Sequence, residues 1–501
     1  MVEKKKQKFL QMFNENADIS VREVEVNRQN ILLFFIDCLI NKELFTNGLM
    51  FFLEAFKKQQ FEQEQLMEKL EKELLKLSSV KRIQTKQDIY KEIFNGSVIV
   101  TDKSSQEYLA LNLAGFQNRA ISEPPTASVV RGPREGFIED LEINLSMLRR
   151  RLKTPSLAIK RKQIGKRTQT KIALVYLNDV LDPNIIKDVE AKLKKIDIDG
   201  VLDSYYIEEL LCSPGDMFFK KIGNSEKPDV ICSKILEGRL AIIVDGSPIV
   251  LTLPYILFED MQSPSDYYDI SFKSTIVRFI RLIGLMCGIL LPGLYVALQS
   301  YHYRILPINF LITLLSSIEG ISFPPVIEIL FVLFLFDILN EASVRMPKQL
   351  GMALSIIGAL ILGDTAVQAG IITPPSIVVV AISGITLYII PNQVSQASIL
   401  RTAFTIVGGF SGLYGIFIGF ITLASYLVSI ETFGSAYMAP YAPSVASDKK
   451  DGFVKRPLNK MIYRPKSFKT LNSVRYQPQN KQVKVKNLNK SKLLKEREKW
   501  V

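Results

Sequence analysis

Residues 274–447 hold only six basic and six acidic side chains among long apolar runs. A soluble domain of that length would carry about a quarter of its residues as charges. A wholly soluble protein is therefore excluded, as are a disordered chain and a disulfide scaffold. The flanks differ in kind. Residues 1–273 carry 40 basic and 40 acidic side chains, and residues 448–501 carry 17 and 4, so the tail accounts for the whole net charge of +13.

A bilayer crossing needs about 20 apolar residues. Ile276–Leu298 qualifies, with Arg278 and Arg281 at its start, where long side chains reach headgroups. Leu350–Ile371, Ser376–Ile390 and Thr402–Ile430 are the other expected spans. Between them Ile305–Ile318 and Val326–Leu339 are 14-residue arms on either side of EGISFPP, with Glu319, Pro324 and Pro325 marking the break. The expectation is a re-entrant or broken hairpin over 305–341 that returns to the side it left. Four spans plus this hairpin place both ends of the polytopic helical domain (274–445) on one side. The basic tail (446–501) is expected to be cytoplasmic by the positive-inside tendency, disordered by composition, and drawn to anionic lipids. No fold or motif supports nucleic-acid binding.

MVEKKKQKFLQMFNENADIS has no apolar core of a secretory signal, so residues 1–273 are expected in the cytoplasm. Two stretches there look like copies of one α/β design. ILLFFIDCLINKEL and IALVYLNDVLDPNI stand 141 residues apart; IFNGSVIV and ILEGRLAI stand 142 apart, with Gly96 and Gly238 suited to helix C-caps. The fold class is thus two similar small α/β subdomains (1–160 with a connecting segment, and 161–273), then a helical membrane domain and a tail. Leu66, Leu70, Leu74 and Leu77 predict a charged amphipathic helix. In the connecting segment Arg131, Arg134, Asn144, Arg149 and Arg151 are candidates for a subdomain or subunit contact. Four scattered cysteines point to a reducing compartment.

Acids inside apolar runs are functional suspects. Asp337, Glu341 and Arg345 are four apart, which suits an ion pair along one helix face. Gly351, Ser355, Ala359 and Gly363 form a small-residue ladder that lets helices approach closely. Asp364, Thr365, Val367 and Gln368 follow it. Brought to a common axis by several subunits, they would line a cation-attracting path; the alternative is a helix contact within one subunit. The sole histidine, His302, has no catalytic company, and no nucleotide, metal or cofactor motif is present, so no enzyme is expected.

The segment SEPPTASVVRGPREGFIEDLEINLSMLRRRLKTPSL resembles the turn EP-x-x-x-x-x-x-RGP-R-x-GF followed by N-x-x-x-x-R-x-R of the GerA family, the A subunits of spore germinant receptors. EGISFPPVIEILFVLFLFDILNEASVRMPKQLG and IIGALILGDTAVQAGIITPPSIVVVAISGITLYIIP resemble its membrane hallmark. The likeness covers roughly residues 16–445. It implies the inner membrane of the spore, a transporter-like B subunit that binds nutrient, a lipoprotein C subunit, and homo-oligomers, as pentamers, that open as ion channels and release cations. The related SpoVAF-type subgroup, an amplifying channel, and a secondary transporter are the alternatives.

Overall fold

The computed structural model describes residues 2–475, apart from 14, 15, 17, 27, 28, 57–65, 103–106, 116–130, 213–217, 320, 322, 346, 348–357, 359 and 360. The α/β region is built on two sheets. The first comprises β1 (Ile19–Val26), β2 (Gln29–Ile36), β3 (Val80–Ile83), β4 (Ser97–Asp102) and β5 (Tyr108–Asn112), in the order β1-β2-β4-β5-β3. The second comprises β6 (Leu157–Ile164), β7 (Thr170–Leu177), β8 (Gly223–Ser225), β9 (Leu240–Val244) and β10 (Val250–Leu253), in the order β6-β7-β9-β10-β8. The two orders are identical position by position, and every pairing is antiparallel.

The uninterrupted apolar run of β2 follows from burial on both faces. Leu32, Phe34 and Ile36 face α1 (Val2–Met12) and α2 (Lys86–Phe94) with Phe9, Phe13, Ile89 and Ile93. Ile31, Leu33 and Phe35 face the Leu70–Leu74 turn and Phe45, Leu49 and Leu53. β7 repeats the plan. Ile172, Leu174 and Tyr176 face one layer; Ala173, Val175 and Leu177 face α3 (Leu141–Arg151) and the helix Pro228–Leu236. Gly96 and Gly238 have φ of +86° and +92° at the helix ends before β4 and β9. Because α3 and β6 belong to the second core, a boundary at residue 160 cuts through a strand; the unit begins near 137.

The helical region stands on this base. α4 (Ser271–Ser300) leaves the α/β side and runs about 45 Å. α5 (Ile308–Ile318) lies at its far end, packed by Leu314 beside Tyr295 and Val296. α6 (Pro325–Arg345) then runs back: Val326 lies against Gly409 and Asp337 meets Arg401. α7 (Pro374–Leu387) also returns from the far end, reaching Gly288 and Gly284 with Leu387 and Ile389. The predicted hairpin over 305–341 is therefore corrected. Glu319 and Pro324 are exposed at the far end, and Pro325 opens α6, whose 21 residues span about 31 Å.

The reversal occurs elsewhere. α8 (Val394–Ser429) is two arms about Gly412, whose φ of 61° and ψ of −151° are not helical. Gly419 sits against Phe404 and Gly408 against Ile416, pairs that meet only if the chain doubles back. Both ends of α8 accordingly reach Tyr255: Gln393 Nε2 donates to its hydroxyl, and Thr432 Oγ1 donates to its carbonyl. The expected single span over 402–430 is thus a helical hairpin. Among the described residues, α4 and the stretch Pro391–Ser429 that contains α8 are long and apolar enough to cross a membrane. They touch through glycine, since a Cβ at Gly293 would lie 2.5 Å from Phe404 O.

The tail is not disordered up to Arg475. Arg464 Nε donates to Leu236 O at 2.7 Å and Leu471 N to Val180 O at 2.9 Å, while Phe468 is 1% exposed with Arg239 over its ring. A backbone-rich, polar strap of this kind needs few apolar side chains, which is why composition alone missed it.

Gly293→Ala should lower the stability of the purified protein by about 1–3 kcal/mol through overpacking against backbone. Gly363→Ala, where nothing lies within 4 Å, should not lower it. Equal thermal midpoints for the two variants would contradict the packing described.

Candidate pore segment and the junction that carries it

Asp364 and Thr365 end a wide π-turn, Ile361–Thr365, which continues into Ala366–Gln368 and a left-handed turn at Gly370. Such turns recur at functional sites. Asp364, Thr365 and Gln368 are exposed, and Gln368 Nε2 donates to Asp364 Oδ1 at 2.6 Å. Open space adjoins Gly363. Val367 differs: it turns inward toward the layer of Tyr295, Val296 and Leu314, so it does not share the exposed face. Gly351, Ser355 and Ala359 lie outside the described residues. A Cβ at Gly363, the remaining rung, would meet nothing within 4 Å among the described residues.

The proposed triad of charges separates. Arg345 donates to Glu341 on the exposed face. Asp337 instead receives Arg401 Nη2 at 2.8 Å across the bundle. Arg401 is 1% exposed, with Nε and Nη1 unpartnered. The signal was in the sequence, since Arg401 is the only basic residue between Val394 and Ile430.

The arginines of the connecting segment also take different tasks. Arg149, fully buried, holds Asp18 through Nε at 2.6 Å and Nη2 at 2.8 Å, and Asn16 Oδ1 accepts Ile159 N. These contacts join the first subdomain to the second. Arg151 and Arg150 pair with Glu135. Asn144 is no intersubdomain contact: its amide closes the turn by accepting from Ile138 N and donating to Ile138 O. Arg131 and Arg134 are exposed.

Sequence reasoning missed the junction between the α/β region and the helices. Arg278, placed by hydropathy near headgroups, is fully buried. It donates to Asp266 at 3.1 Å, Asp451 at 3.0 Å and Gly452 O at 2.6 Å. Arg281 adds a two-pronged contact to Asp266 at 2.7 and 2.9 Å. Lys455 of the tail donates to Asp266 O and lies over Tyr267. Burial pushes the Asp266 carboxyl up, but hydrogen bonds from Arg281 and Ser263 N–H outweigh it and hold it below the usual range. Burial, then Asp451, pushes Tyr267 well up. A second seat joins Tyr255, Asp260 and Gln393, with Gln393 Nε2 donating to Asp260 at 2.6 Å. No metal-type cluster of three His, Cys, Asp or Glu occurs among the described residues.

A model of the family described as Bacillus/Clostridium GerA spore germination protein matches residues 7–467. Spore germination protein KA of Bacillus subtilis (strain 168) is 33% identical over 465 residues, 92% of this chain and 85% of that protein. The uncharacterized membrane protein YfkQ of the same organism is 36% identical over 396 residues, 79% of this chain and 77% of that protein. The crystal structure of the N-terminal domain of the A subunit of the Bacillus megaterium spore germinant receptor GerK3 aligns with 49% of this chain and 91% of that chain, at 24% identity and a TM-score of 0.39.

Arg149→Ala should cost about 3–5 kcal/mol, because Asp18 is left as an uncompensated buried charge; a chemical unfolding midpoint that does not move would refute the joint. Acid provides a second check. Since the folded Asp266 pKa lies below its unfolded value of about 4, its stabilisation is complete above that value and is lost as pH falls through the folded one. Thermal midpoints should drop below about pH 4, and Asp266→Asn should flatten that drop while destabilising at neutral pH.

Proposed function

The chain belongs to the GerA family of spore germination proteins, and from that membership we propose that it is the A subunit of a nutrient-germinant receptor in the inner spore membrane. It acts as a non-enzymatic, ligand-gated channel rather than a catalyst. Together with the expected span Leu350–Ile371, the helices α4, α6, α7 and the two arms of α8 would make six passes, with both termini on the α/β side and α5 lying in the far interface. An 11-residue helix is too short to cross. Several copies, five by the family likeness, would set their 350–371 segments about an axis and release cations through it. A transporter-like B subunit and a lipoprotein C subunit would complete the receptor.

The observation that carries this reading is the exposed face of Asp364, Thr365 and Gln368, beside which a Cβ at Gly363 would meet nothing within 4 Å among the described residues. A carboxylate at the end of an apolar segment is costly when it faces lipid. Around an axis the same group would concentrate cations in water. The secondary-transporter alternative loses its support, because Glu319, Pro324 and Pro325 lie at the far end and not at mid-depth.

Particle symmetry of the purified protein and currents in planar bilayers test the proposal together. A ring with cation-selective current is expected, and Asp364→Asn should lower cation conductance by about threefold or more at low salt. Monomeric particles, or currents indifferent to that substitution, would remove Asp364 from a pore.

A further inference from the structure

At the far end of the bundle a carboxylate is buried without a countercharge. Glu328, in the first turn of α6, is 2% exposed. Its Oε1 accepts Thr373 N at 2.6 Å and Thr373 Oγ1 at 2.8 Å. Thr373 in turn lies 2.8 Å from Ser376 Oγ. With the Thr373 proton committed to Glu328, Ser376 is the donor of that pair. No lysine, arginine or histidine among the described residues forms an ion pair with Glu328.

One further side chain points to an occupant. The Tyr295 hydroxyl of α4, 9% exposed, adjoins Thr373, Ser376 and Glu328 but makes no hydrogen bond of normal geometry. A buried tyrosine hydroxyl normally finds a partner, and leaving it unmade costs about 1–3 kcal/mol.

We propose that Glu328, Ser376 and Tyr295 form a binding site for one desolvated monovalent cation of sodium or potassium size, with Thr373 holding Glu328 in place. The donor set is all oxygen: one carboxylate and two hydroxyls. Hard cations take oxygen donors, and nitrogen- or sulfur-preferring metals do not fit. One negative charge balances a single positive one, which removes the cost of an isolated buried carboxylate. A divalent ion would leave a net charge in the same low-dielectric place. The cation would also fasten the start of α7, where Thr373 is the N-cap, to α4 and α6. The site stands on this geometry and not on conduction: a conducting ring without cation-specific stabilisation, or the reverse, separates the two ideas.

The test uses the full-length protein in detergent, exchanged into choline chloride and titrated with NaCl or KCl at constant ionic strength. The unfolding midpoint should rise by roughly 2–8 °C and saturate with at least one of the two ions. Glu328→Gln should abolish that rise, and Tyr295→Phe should shift its half-saturation to higher salt. Equal midpoints in all three salts would mean that water or a proton fills the cluster, and would overturn the proposal. So would an undiminished rise in Glu328→Gln. Should that variant fail to fold, Tyr295→Phe decides alone, since it removes one hydroxyl and no charge; an unchanged titration curve in it overturns the site.

Discussion

A fully buried guanidinium, Arg278, sits two turns inside an otherwise apolar helix. Taking such a charge out of water costs several kcal/mol unless its hydrogen bonds are met. Here Nε is met by Asp266, which ends the α/β region, and Nη1 by Asp451 and Gly452, which belong to the tail, while Nη2 has no partner among the described residues. One side chain thus requires three separate parts of the chain to meet. It sets how far α4 enters the apolar layer, and it gives residues 448–475 a reason to be ordered despite their composition. The second polar seat, at Tyr255 and Gln393, does the same for the start and the end of α8. Once both seats are fixed, the doubling of α8 at Gly412 is forced, because its two ends must reach one place.

In the proposed membrane setting the helices above these seats could not rely on the hydrophobic effect, since lipid is as apolar as their own side chains. Close approach takes its place. Gly293 against Phe404 and Gly408 against Gly293 bring backbones of α4 and α8 together. Gly284 and Gly288 receive Ile389 and Leu387 of α7 in the same way. The glycines are therefore contact residues and not hinges, Gly412 excepted, where the positive φ is the turn itself.

Much of this was legible in the sequence. Apolar strands bounded by polar corners, recurring at matched offsets, gave the two sheets, because burial on both faces writes a continuous run into the chain. The family turn placed Arg149 and Asn144 in one segment, but nothing local distinguishes an arginine that reaches Asp18, 131 residues away, from one that pairs with Glu135 nearby. Hydropathy located the apolar block yet misplaced its reversal. The Pro-rich EGISFPP looks like a mid-depth break, but its described residues lie at the far end, whereas Gly412 hides in a uniform run, and only its φ shows the turn. The tail misled for a related reason: its ordering comes from backbone hydrogen bonds and buried ion pairs, and composition registers neither.

The exposed face at Asp364 depends on a frame that lies almost wholly elsewhere. The turn after Gln368 ends at Thr373, which Glu328 of α6 holds by two hydrogen bonds. α6 is tied to α8 by Asp337 and Arg401, and α8 returns to the seat at Tyr255 beside the α/β region. Each tie is a polar contact in an apolar layer, so each costs more to leave half-made than to keep. A frame of this kind favours movement of helices as bodies over local softening.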